Sequence, residues 1–150
     1  MSTPSGSGSG ASAPGTAGPA APAPRIAFGP GTVTVDVSTS YLDLDTSPPL
    51  ATQSNKAADI VFAYSVGAPN LLTTGSTPTL AVLPVDAAPP TPAQCNDAIG
   101  KRGTHTGGKS VLGSSFCVLT DEGRTAYLRL TTPPAVGAPL RMQVTVWEAP

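Results

Sequence analysis

Charge is scarce in this chain. Of its 150 residues only 11% are Asp, Glu, Lys or Arg, and the formal net charge is −1. No basic stripe marks a surface for nucleic acid or for an anionic membrane, so neither partner is expected. Long apolar runs are also missing. None approaches the ~20 residues that cross a bilayer, and no membrane insertion is expected. The N-terminus carries neither a basic leader nor the apolar stretch of a signal peptide. As written it is expected to hold no export address, leaving a cytosolic chain or a piece of a longer product. Histidine occurs once, at His105, so a Ser-His-Asp or Cys-His arrangement would have to use that ring. It sits in a glycine-rich stretch, and no serine occupies a strand-to-helix elbow. No catalytic residue is assigned, no cofactor is expected, and the chain is read as not an enzyme.

Proline and glycine, in contrast, are plentiful, at 18 and 16 residues. Prolines at this density exclude long helices from most of the chain and mark the ends of short elements. Every residue from Ser2 to Pro24 is Ser, Thr, Pro, Gly or Ala. Such a segment has nothing to bury against the roughly 1–2 kcal/mol of backbone entropy lost per ordered residue, so residues 1–24 are expected to be a disordered linker. Residues 25–150 hold the charge and the hydrophobic pattern, and are expected to form one domain with its own core.

Within that domain the pattern is that of strands. Candidates are Thr32–Val37, Tyr41–Asp45, Ala58–Ser65, Thr79–Val85, Val111–Leu119, Arg124–Thr131 and Arg141–Trp147, separated by proline- and glycine-rich turns. Only Pro92–Ile99 suits a short helix, with Thr91 as N-cap and Pro92 in the first turn. About seven short strands and one helix predict an all-β, antiparallel β-sandwich, with an open barrel as runner-up. The last two strands alternate with period two. Ala126, Leu128, Leu130, Met142, Val144 and Val146 are expected to face the core, with Thr125, Tyr127, Arg129, Gln143 and Thr145 outward. Trp147 follows the outward set.

Four local features carry chemistry. Cys95 and Cys117 are an even pair in a small β-domain and are expected to form a disulfide, the alternatives being two buried thiols or part of a metal site. Gly103-Thr104-His105-Thr106-Gly107-Gly108-Lys109-Ser110 matches the phosphate-loop pattern by letter, but no strand precedes it and no helix follows, so nucleotide binding is not expected. Asp43 and Asp45 fall on one face of a strand opposite Leu42 and Leu44, with Asp36 and Asp59 on neighbouring elements. They are candidate calcium ligands, with solvated charges on a sheet edge as the plainer reading. Tyr127, Arg129 and Trp147 form the candidate binding face for a glycan or a protein, against the alternative that the rings cover the core.

Tyr41-Leu42-Asp43-Leu44-Asp45, Gln94-Cys95, Phe116-Cys117-Val118-Leu119-Thr120-Asp121-Glu122-Gly123-Arg124-Thr125-Ala126 and Val144-Thr145-Val146-Trp147 occur here in that order. This succession resembles small domains appended to uncharacterised proteins of high-GC actinobacteria, often behind a Pro/Ala-rich linker. The resemblance covers roughly residues 32 to 148. It implies an extracytoplasmic, disulfide-stabilised module without catalytic residues. The function expected is therefore a non-catalytic interaction or ligand-binding module, for carbohydrate or cell envelope, on a flexible tether. The alternative is a structural subunit, a homo-oligomer whose N-terminal tail orders on neighbouring copies. A cytoplasmic location is the alternative to an extracytoplasmic one.

Overall fold

The computed structural model describes residues 23–64, 69–75, 77–135 and 137–150. The linker expected over 1–24 therefore lies almost wholly outside the described residues.

Ten strands and one helix follow one another along the described chain: β1 (Ile26–Val35), β2 (Tyr41–Asp43), β3 (Leu50–Thr52), β4 (Ile60–Ala63), β5 (Asn70–Thr73), β6 (Leu80–Leu83), α1 (Pro92–Arg102), β7 (Thr106–Lys109), β8 (Ser115–Leu119), β9 (Thr125–Leu130) and β10 (Leu140–Trp147). They build two five-stranded antiparallel sheets, ordered β1-β10-β9-β8-β6 and β3-β2-β4-β5-β7. The chain is an all-β sandwich with one short helix. The barrel reading falls, because the two sheets have separate edges.

Alternation in the C-terminal strands decides where the core lies. Ala126, Leu128, Leu130, Met142, Val144 and Val146 point inward, as their period-two spacing predicts, and meet Leu42, Leu44, Ile60, Phe62 and Leu71 from the second sheet. Fully burying a residue the size of Leu or Phe stabilises by roughly 1.5–3 kcal/mol, so this layer dominates the fold. The register is tight: Met142 lies opposite Leu130, Val144 opposite Leu128 and Val146 opposite Ala126.

The helix runs three residues beyond the expected Pro92–Ile99. Its start follows from local chemistry: Thr91 Oγ1 accepts from Gln94 N at 3.1 Å while Gln94 Oε1 accepts from Thr91 N at 2.9 Å. This reciprocal cap satisfies two donors that the first turn leaves orphaned. Pro92 occupies the first turn, where its missing N–H costs nothing.

Three strands escape the sequence pattern. β3 and β5 are three and four residues long, too short for alternation to register, and β7 is the tetrapeptide Thr106-Gly107-Gly108-Lys109, which carries no apolar side chain. Strand β1 begins six residues before the expected Thr32. It runs through Gly29-Pro30 by means of register shifts against β10 between Ile26 and Phe28 and between Phe28 and Gly31. A proline is admissible there because β1 is an edge strand.

Candidate functional site

The outer face of the first sheet does not stand in solvent as alternation alone suggests. Helix α1 lies across it and forms a second apolar cluster: Ala81, Cys95, Cys117, Tyr127 and Trp147 are buried together, with Leu83, Ala98 and Ile99 packed against them. The Cys95–Cys117 disulfide ties the helix to the middle of β8. The expectation of Tyr127 and Trp147 as freely exposed rings is therefore corrected: they are 5% and 9% exposed. Period two assigns a side chain to a face but says nothing about a third layer placed on that face. Of the three candidate binding residues only Arg129 remains half-exposed.

The helix leaves part of the sheet uncovered. Two clefts open there and share Gln143. The smaller, about 120 Å³, is lined by Tyr127, Trp147, Thr145, Gln143 and the three prolines Pro30, Pro89 and Pro90. The larger, about 410 Å³, is lined by Arg129, Gln143, Asp86, Leu112, Gly113 and neighbouring backbone. Strand register sets their floor. Tyr127 lies opposite Thr145 and Arg129 lies opposite Gln143 on adjacent strands β9 and β10, so the clefts follow one another along the pair at about 7 Å per same-face step.

Two polar groups stand out on this floor. The Tyr127 hydroxyl is buried and has no hydrogen-bond partner among the described residues, a state that ordinarily costs about 1–3 kcal/mol. Arg129 has one partner among the described residues: its Nη2 donates to Asp86 Oδ1 at 2.9 Å. Asp86 lies on a turn with φ of 60°, a left-handed conformation that Asp tolerates better than most residues. Tyr127 and Trp147 thus line the smaller cleft and Arg129 the larger, rather than one open face. Gln143 and Thr145 were legible only as outward strand residues, and Asp86 and the prolines not at all, because they come from the β6–α1 connection and, for Pro30, from the edge strand β1, all distant in sequence.

The acidic residues form a separate constellation at one end of the sandwich. Strand β2 lies between β3 and β4, so the reading of Asp43 as a solvated edge charge is corrected, while Asp45 lies two residues beyond the strand and is half-exposed. Asp43 is 8% exposed and Asp59 6%, and the carboxylates of Asp43, Asp45 and Asp59 lie within 4.8 Å of one another. Each carboxylate already accepts from the protein. Asp59 takes Leu44 N at 2.8 Å and Asp121 N at 3.0 Å, Asp43 takes Asp45 N at 2.9 Å, and Asp45 takes Thr120 Oγ1 at 2.6 Å. Arg124 Nη1 adds a bond to the Asp45 carbonyl oxygen at 2.6 Å. These bonds tie the end of β2 to the β8–β9 turn. Burial pushes the Asp59 carboxyl up to about 7, against the two backbone N–H groups that favour its charged form. Asp36 is apart from them: its carboxylate accepts from Ser38 Oγ and from Ser38 N and Thr39 N, which holds its pKa below the ordinary range.

The glycine-rich phosphate-loop match is a strand and a turn. Thr106–Lys109 pairs with β5, Gly103 caps the end of α1, and Val111 and Ser114 form a turn before β8. No helix starts at Lys109-Ser110 to aim backbone N–H groups at a phosphate. His105 is exposed, and its Nδ1 lies 3.3 Å from Thr73 Oγ1.

No family model, no curated protein and no solved structure matches this chain.

Proposed function

We propose that this chain is a non-catalytic binding module for a carbohydrate of the cell envelope, with the cleft over β9 and β10 as its site. The observation that carries this reading is that Tyr127, whose buried hydroxyl has no partner among the described residues, lines a cleft together with Trp147, Thr145 and the amide of Gln143. Sugars present an apolar ring face and a rim of hydroxyls, and an aromatic wall with a few hydroxyl and amide groups answers both. The disulfide supports residence in an oxidising compartment outside the cytoplasm. The reading is non-catalytic because both cysteines are spent in that bond and the single histidine, in the bend between α1 and β7, lines neither cleft.

Titration of the full chain with cell-envelope oligosaccharides, followed by calorimetry, tests the proposal. Tyr127→Phe is expected to weaken binding by about 0.5–1.5 kcal/mol, one neutral hydrogen bond, while leaving the fold intact. A glycan that binds both forms equally well places the site elsewhere.

A further inference from the structure

The two clefts differ in chemistry, and the difference selects among sugars. We infer that the site takes an acidic saccharide, with a neutral ring in the cleft of Tyr127 and Trp147 and a uronate carboxylate on Arg129; this rests on the carbohydrate reading above. Gln143 lines both clefts and stands directly opposite Arg129, so one ligand lying along β9 and β10 passes from the aromatic end to the guanidinium without a break.

Arg129 is suited to the task because it is only lightly engaged. A guanidinium carries five N–H donors in a planar fork that matches a carboxylate through two parallel bonds. Here one bond, from Nη2 to Asp86 Oδ1, is its sole partner among the described residues. The Asp86 side chain is 69% exposed and that of Arg129 35% exposed. An ion pair open to water is weak, and an incoming carboxylate that binds bidentately displaces it at little cost. Asp86 thereby occupies the position of the ligand's acid group when the site is empty and sets a threshold against weakly held anions.

The experiment compares oligosaccharides of hyaluronan, heparosan and unsulfated chondroitin, in each of which a uronate alternates with a neutral sugar, with the same oligosaccharides after each carboxyl has been reduced to a hydroxymethyl group. The full chain is expected to bind at least one acidic form, and to bind its reduced counterpart at least tenfold more weakly. Arg129→Gln should remove that preference, bringing the acidic and reduced forms to within about twofold of each other. Asp86→Asn tests the same idea from the other side: it tightens the acidic form several-fold by removing the internal competitor, and an asparagine keeps the left-handed turn. Because Asp86 is exposed, this variant remains informative if Arg129→Gln folds poorly. Equal affinity for acidic and reduced forms, or binding of neutral glycans alone, overturns the acidic assignment and leaves the carbohydrate reading standing. Failure to bind any glycan overturns both.

Discussion

At the scale of single residues, the molecule balances two unusual polar groups. One is the Asp59 carboxyl, held by two backbone N–H groups in a buried setting. Its folded pKa of about 7 lies above the ordinary 3.8, so the folded state binds this proton more tightly than the unfolded state does. Its contribution to stability is complete below the unfolded pKa and is lost as pH rises through the window from about 4 to about 7. Asp59→Asn removes the titrating group, and one of its two backbone donors then faces an amide NH₂. The variant is expected to be destabilised most at pH 4, with the gap to the parent protein narrowing toward pH 8. Denaturant midpoints measured across that range check it, and a gap that widens with pH refutes the assignment. The other group is the Tyr127 hydroxyl, whose burial without a partner argues for a ligand. Nothing in alternation distinguishes an outward tyrosine in solvent from one beneath a helix, which is why the sequence reading placed it correctly on the strand and wrongly in water.

At the scale of elements, the turns and caps make the sharpest claims. Gly29 has φ of 91°, and a Cβ placed there would collide with the backbone carbonyl oxygen of Val144. Gly29→Ala is therefore expected to cost upwards of about 2 kcal/mol through combined strain and collision, and thermal unfolding reads it directly. Thr91→Ala breaks the reciprocal cap of α1 and should cost about 1 kcal/mol. Because α1 roofs the aromatic cluster, that loss should come with greater solvent exposure of Trp147. Elements of this kind also mark where the sequence was legible. β9 and β10 are long enough for period two to declare their faces, and Thr91-Pro92 announces a helix start. β3, β5 and β7 are defined by their pairing with β2, β4 and β5, and a Gly-Gly strand such as β7 has no pattern of its own to read. The three-carboxylate group at Asp43, Asp45 and Asp59 was half visible. Asp43 and Asp45 are close in sequence, whereas Asp59 joins them through the β2–β4 pairing.

At the scale of the whole molecule, one covalent link and two apolar layers hold the parts together. The disulfide spans a sequence separation of 22 residues. Loop-closure entropy for that span predicts a loss of about 3 kcal/mol when both cysteines are replaced by alanine, measured as a lower denaturant midpoint with a steeper slope, because the unlinked denatured chain exposes more surface. Residues 2–22 offer no side chain larger than threonine or proline. Their removal is expected to change stability by less than about 0.5 kcal/mol, and repeating the measurement at several protein concentrations separates a change in folding from one in association.

Trp147, the sole tryptophan, belongs to the helix-covered layer rather than to the core between the sheets. The intrinsic emission of this protein is therefore a private signal from its roof. If the helix lifts before the sandwich melts, the fluorescence transition will precede the circular-dichroism one, and a single optical trace would mistake the release of the helix for the unfolding of the protein. Read together, the two signals would separate the release of the helix from the melting of the sandwich.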